Sequence, residues 1–96
     1  MTYELIVTPE AEFDLLEAAQ WYENQRSGLG EEYVDAVKEK IEFLALNPLK
    51  YQIRFETIRF ATVDRFPYAI HFEIVDQHKI YVLAITHTRR NPSKNI

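Results

Sequence analysis

Residues 68–87 read YAIHFEIVDQHKIYVLAITH, and their alternation decides the fold. Tyr68, Ile70, Phe72 and Ile74 point one way, while Ala69, His71, Glu73 and Val75 point the other. Asp76-Gln77-His78-Lys79 is a polar turn. Beyond it Tyr81, Leu83, Ile85 and His87 share one face, with Ile80, Val82, Ala84 and Thr86 on the opposite one. A side-chain period of two, rich in β-branched and aromatic residues, marks two strands, and the short polar break makes them a hairpin. With Gln77 and His78 at the tip, Val75 faces Ile80, Ile74 faces Tyr81, Phe72 faces Leu83, Ile70 faces Ile85 and Tyr68 faces His87. All the strongly apolar pairs then land on one face. A slip of one residue would turn them to water and place Glu73 in the core.

Upstream, Thr57 to Val63 alternates moderately and Pro67 breaks the chain after it. Two helices come before. Thr8-Pro9-Glu10 starts the first: Thr8 caps the first-turn amides, Pro9 fits the first helical position, and Glu10 and Glu12 suit the positive end of the dipole. Ala11, Leu15, Ala18 and Tyr22 form one face of a helix running to about Arg26, with Trp21 extending the apolar edge. Ser27-Gly28 ends it. Val34, Val37, Ile41 and Leu44 stripe a second helix that begins around Leu29-Gly30, with Tyr33 and Ala36 beside the stripe, and Asn47-Pro48 stops it. Tyr3 to Thr8 is a first strand. The expected order is β-α-α-β-β-β. A helical hairpin must bury its stripe on the sheet's apolar face, so the fold class is α+β, with the hairpin packed on one face of a small, mostly antiparallel sheet, in a single domain spanning 1–96.

The 96 residues are 47% hydrophobic with 6 Tyr, 6 Phe and 1 Trp, enough for a core, and 2 Gly and 4 Pro argue against disorder. The lack of cysteine excludes disulfides, thiolate chemistry and cysteine zinc sites. His71 and His78 lack carboxylates at metal-ligand spacing, so no metal and no cofactor is expected. Met1 to Pro9 lacks the basic and apolar regions of a signal peptide, and no apolar run approaches the ~20 residues of a membrane span. A cytoplasmic protein is the expectation. The net charge of −4 divides into −7 over residues 1–50 and +3 over 51–96. Such a split can solvate two acidic helices, or set a basic face toward an anionic partner.

The hairpin register gathers Arg65, Tyr68, His87, Arg89 and Arg90 at the end of the sheet away from the turn, with Arg59 approaching from the preceding strand. Guanidinium groups pair with phosphate bidentately and stay charged, and imidazole can move a proton near neutral pH. Arg65, His87, Arg89 and Arg90 are therefore candidate catalytic residues. Arg59, Arg65, Tyr68, Arg89 and Arg90 are candidate target- or phosphate-binding residues. Such a set could cleave RNA or bind without chemistry. The plainer readings are a solvated strand end for residues 87–92, a packing role for Tyr68, and helix-hairpin packing for Trp21-Tyr22.

Several segments together resemble the RelE/ParE toxin superfamily, closer to its ParE side. They are Thr8-Pro9-Glu10-Ala11, Trp21-Tyr22-Glu23 followed by Gly28-Leu29-Gly30, Asn47-Pro48, Ile58-Arg59, Arg65-Phe66-Pro67-Tyr68 and His87-Thr88-Arg89-Arg90-Asn91-Pro92. The resemblance covers nearly the whole chain. It implies the toxin of a type II toxin–antitoxin, plasmid-stabilisation pair, neutralised by a cognate antitoxin and inhibiting growth through protein contact with DNA gyrase. The alternatives it implies are a ribosome-dependent mRNA endonuclease, which would make the chain an enzyme, and an inactive relative that only binds an antitoxin-like partner. Two features depart from the nuclease pattern: no Tyr follows Arg90, and residues 51–78 contain no Lys. A sequence pI of about 5.3 is also low for a protein approaching ribosomal RNA.

Overall fold

The computed structural model describes residues 3–89. The chain runs β1 (Glu4–Val7), α1 (Pro9–Gln25), α2 (Leu29–Leu46), a 3-10 turn (Pro48–Lys50), β2 (Ile53–Phe55), β3 (Ile58–Thr62), β4 (Tyr68–Val75) and β5 (Lys79–His87). Five strands form one sheet in the order β1-β5-β4-β3-β2; β1 is parallel to β5 and the other pairs are antiparallel. The helical hairpin covers one face. Tyr33, Val37 and Leu44 of α2 meet Ile70, Phe72, Ile80 and Val82 of the sheet, all fully buried. The α+β expectation holds. The sheet gains one strand over it, because β2 is too short to show a period in the sequence.

The helix limits follow from local chemistry. Thr8 is extended, and its hydroxyl accepts from the Ala11 N–H at 3.2 Å while donating to the Val82 carbonyl at 3.0 Å. One side chain thus caps α1 and ties its start to β5. Gly28 adopts φ +91°, where a Cβ is costly. Trp21, expected on the apolar edge of α1, is half exposed.

The hairpin register is as expected from Tyr68↔His87 through His71↔Ala84 and shifts by one residue beyond, where Phe72 pairs with Val82 and Val75 with Lys79. Ile80 and Val82 therefore take the core face, where Tyr81 and Leu83 were expected, and Ile85 rejoins it three residues after Val82. Two local features produce the change. The turn is centred on Asp76 and Gln77, both at positive φ, with the His78 N–H donating to the Val75 carbonyl, so its tip lies one residue early. An extra residue at Leu83 then restores the register as a β-bulge. β1 ends opposite Val82, and the Ile85 N–H beyond it donates to the Asp14 carboxylate of α1 at 3.1 Å.

On the uncovered face, His71 Nε2 lies 2.8 Å from Thr86 Oγ1 and its ring packs edge-on to Phe60. Burial lowers the His71 pKa and the Arg54 guanidinium adds to this, against an opposing pull from Asp14. The folded chain thus favours neutral imidazole. Stability should be full above the ordinary value of about 6.5 and fall as pH drops below it, because the unfolded chain then binds the extra proton. Thermal melts from pH 8 to 5 should show this slope in the wild type and a flatter one in His71→Gln. Parallel slopes would remove His71 as the source.

Candidate functional site

The helical hairpin turn, the β3–β4 loop and the end of β5 meet at one end of the domain. Tyr22 and Tyr33 lie at equal distance either side of the turn at Ser27-Gly28, so the antiparallel hairpin brings them together with ring centroids 5.2 Å apart. Phe66 sits edge-on to both, at 5.0 Å from Tyr22 and 5.3 Å from Tyr33. Tyr68 packs on Tyr33 at 5.1 Å, and His87 on Tyr68 at 5.0 Å. Trp21 meets Tyr22 at 5.1 Å on the exposed side. The result is an aromatic floor assembled from both helices, the loop, β4 and β5.

Glu23 holds the hairpin around this floor. The first residues of α2 leave amides without intrahelical partners, and Gly28 has no side chain to cap them. The Glu23 carboxylate accepts from the Gly28 N–H at 3.0 Å and from the Gly30 N–H at 3.0 Å. A carboxylate at a helix N-terminus is also favoured by the dipole.

Arg65 stands on the rim. Its backbone is left-handed, at φ +72°, its side chain is exposed, and its guanidinium lies 5.4 Å from the Phe66 ring centre. The loop that carries it is pinned on both sides. The Val63 N–H donates to the Tyr68 carbonyl at 2.9 Å, and the Thr88 N–H donates to the Pro67 carbonyl at 2.8 Å. His87 Nδ1 accepts from the Arg89 N–H at 3.0 Å, so a neutral ring carries its proton on Nε2. Arg89 is exposed beside it.

The structure therefore brings together Arg65, Tyr68, His87 and Arg89 of the expected set. Arg90 lies outside the described residues. Arg59 does not join the group. It pairs with Phe72, three residues along β3 from the Thr62 position that faces Ala69, or about 10 Å away along the strand. Its Nη1 donates to the Tyr51 carbonyl at 2.6 Å, which secures the entry to β2. Sequence reasoning placed Tyr22 in packing and Tyr33 beside a stripe. Their symmetry about Ser27-Gly28 was the signal that both reach the same end.

Tyr33 is fully buried, and its hydroxyl has no hydrogen-bond partner among the described residues. Burial first, then the neighbouring Tyr68 and Tyr22, push it well above the usual phenol range, so it stays protonated. An unpaired buried hydroxyl costs roughly 1–3 kcal/mol. Tyr33→Phe keeps the ring and should raise stability by about 1 kcal/mol in urea unfolding. A loss of stability would show that the hydroxyl is satisfied in solution.

Among the described residues no group of three or more His, Asp or Glu could hold a metal ion, and no helix is long and apolar enough to cross a membrane. The uncovered sheet face at this end carries Phe60, Thr62, Ala69, His71, Ala84 and Thr86, and the Arg54 guanidinium lies over it, 4.6 Å from the Phe60 ring centre. The site can therefore present aromatic surface and guanidinium groups to a partner at the domain's end.

A two-helix hairpin over this five-stranded mixed sheet is the fold of the RelE/ParE toxin superfamily. A chain of the chromosomal ParDE toxin–antitoxin system from P. aeruginosa superposes with a TM-score of 0.81 at 20% identity, covering 92% of this chain and 98% of that one. A chain of the RelBE2 toxin–antitoxin complex from Mycobacterium tuberculosis gives 0.64 at 22% identity, covering 91% and 99%. One from the intact E. coli RelBE complex gives 0.64 at 15%, covering 92% and 99%. No curated protein matches the chain. Residues 5–92 match the family model of the ParE toxin of the type II toxin–antitoxin system parDE, and the chain belongs to that family.

Proposed function

We propose that this chain is a growth-inhibiting plasmid-stabilisation toxin that acts in the cytoplasm, blocks DNA gyrase by protein contact and is silenced by a cognate antitoxin. The observation that carries the reading is the rim of the aromatic floor. An exposed arginine stands on left-handed backbone beside packed aromatic rings. Arginine and large aromatic side chains are the residues that most often anchor protein interfaces. RNA cleavage asks for different features: cations along the strand of phosphates and an acid and base in reach of the ribose. On the uncovered face at this end Thr, Ala, Phe and His line the strands, and one guanidinium, that of Arg54, lies over Phe60. Tyr33 cannot ionise near neutral pH, and His87 packs edge-on against Tyr68.

The test is a supercoiling assay with purified gyrase and pure protein, run beside mapping of mRNA ends in cells after induced expression. Loss of supercoiling activity with unchanged mRNA ends is expected. New ribosome-dependent cleavage ends that vanish in His87→Ala would establish the endonuclease instead. A folded protein that neither arrests growth nor touches gyrase would be a binding-only relative.

A further inference from the structure

Trp21 is the one tryptophan of the chain, and it is 47% exposed. An indole left open at the edge of a packed aromatic cluster is surface that a partner can cover. Its position follows from the pairing of α1 with β5. The Thr8 hydroxyl donates to the Val82 carbonyl, and the Asp14 carboxylate accepts from the Ile85 N–H, so α1 runs alongside β5 in the same direction. Trp21 lies two turns beyond Asp14 on the same side of α1, about 10 Å further along. That sets it level with the end of β5 and with the exposed Arg89 just past it. On its other flank Trp21 meets Tyr22, Tyr22 meets Phe66, and the Arg65 guanidinium lies against Phe66. The indole thus stands between two exposed arginines on a continuous run of rings. Other charges at this end are engaged. Glu23 accepts from the Gly28 and Gly30 N–H groups, Asp64 pairs with Lys40, and Arg26 pairs with Glu32. Glu17 lies one turn back from Trp21, toward the middle of α1.

We propose that Trp21 anchors the target interface, and that the target presents an acidic segment there: an apolar side chain against the indole, flanked by carboxylates that pair with Arg65 and Arg89. The inference rests on the reading that the chain acts by protein contact with gyrase, and it names the chemistry of that contact. Tryptophan and arginine dominate interface energies where packed neighbours exclude water, and Tyr22 and Phe66 supply such neighbours. Arginine also takes a carboxylate through two parallel N–H donors. A nucleic acid fits less well. A run of phosphates asks for a run of cations, whereas here two guanidinium groups stand near Glu17 on a chain of net charge −4.

The test uses the full chain labelled with fluorotryptophan, which gives a single fluorine resonance because Trp21 is the one site. Purified gyrase holoenzyme should shift or broaden that resonance. Trp21→Ala should weaken supercoiling inhibition roughly tenfold or more, and Trp21→Phe should weaken it less. Leu16→Ala, exposed on the other side of α1, should inhibit as the wild type does. Urea midpoints near that of the wild type keep these losses apart from folding. Affinity should fall as salt rises from about 50 to about 300 mM, and less steeply for Arg65→Gln with Arg89→Gln. Full inhibition by Trp21→Ala, or an unmoved resonance with gyrase bound, overturns the anchor and leaves the gyrase reading standing. Affinity that ignores salt overturns the acidic segment. A wild-type chain that neither binds nor inhibits gyrase overturns both. A resonance that moves with ribosomes or an RNA oligonucleotide and not with gyrase assigns the indole to base stacking and overturns the proposal.

Discussion

Arg65→Gly is expected to abolish growth arrest while leaving the fold as stable as the wild type, or up to about 1 kcal/mol more stable. The left-handed φ of +72° costs a residue with a Cβ about 1–2 kcal/mol, which glycine avoids. Against this stand the backbone entropy of glycine, about 0.5–1 kcal/mol, and the exposed cation–π contact with Phe66, about 0.5 kcal/mol. The terms nearly cancel for stability and do not cancel for binding. An interface arginine commonly contributes about 2 kcal/mol or more, so target affinity should fall roughly 30-fold. Colony counts after induction, read beside urea midpoints of the purified variants, separate the two effects. A stable Arg65→Gly that still arrests growth would show that the strained arginine serves no target.

The second large effect concerns the hairpin. A Cβ on Gly30 would stand 2.6 Å from the Ala19 carbonyl oxygen and 3.0 Å from the Glu23 carboxylate. The first neighbour is helix backbone and cannot rotate away. Gly30→Val should therefore force α1 and α2 apart, lowering stability by about 3 kcal/mol, with a fall in Tm of roughly 12–24 °C for a domain of this size. It should also disturb the Tyr22–Tyr33 contact, and with it the floor beside Arg65. Gly28→Ala is the matched control. Nothing lies within 4 Å of its Cβ position, so only the positive φ of +91° is strained, at about 1–2 kcal/mol. Equal losses for the two variants would mean that the close approach at Gly30 relaxes easily.

The site was legible in part because part of the register was. Tyr68 opposite His87 follows from alternation on two long strands, and the structure keeps that pair. The turn half was not legible, since Asp76 and Gln77 are not the glycines that usually announce positive φ, and the bulge at Leu83 has no marker in the sequence. Arg59 misled for a related reason. Its place on β3 was readable, but its partner, the Tyr51 carbonyl, belongs to a segment with no period of its own.

What depends on near neighbours along the chain is readable from the residues alone. Thr8-Pro9, Gly28 and Asn47-Pro48 set the helix limits, because capping and φ preferences act within one turn. The order of elements and the far half of the hairpin follow from periodicity over a few residues. Which segments share an end emerges from the packed chain: Tyr22 and Tyr33 under Phe66, Arg65 on the rim, and Ile53–Phe55 left as an open edge. Those placements depend on how closely the hairpin packs at Gly30 and where the sheet stops. Both are set by contacts between residues far apart in the chain, which no local pattern encodes.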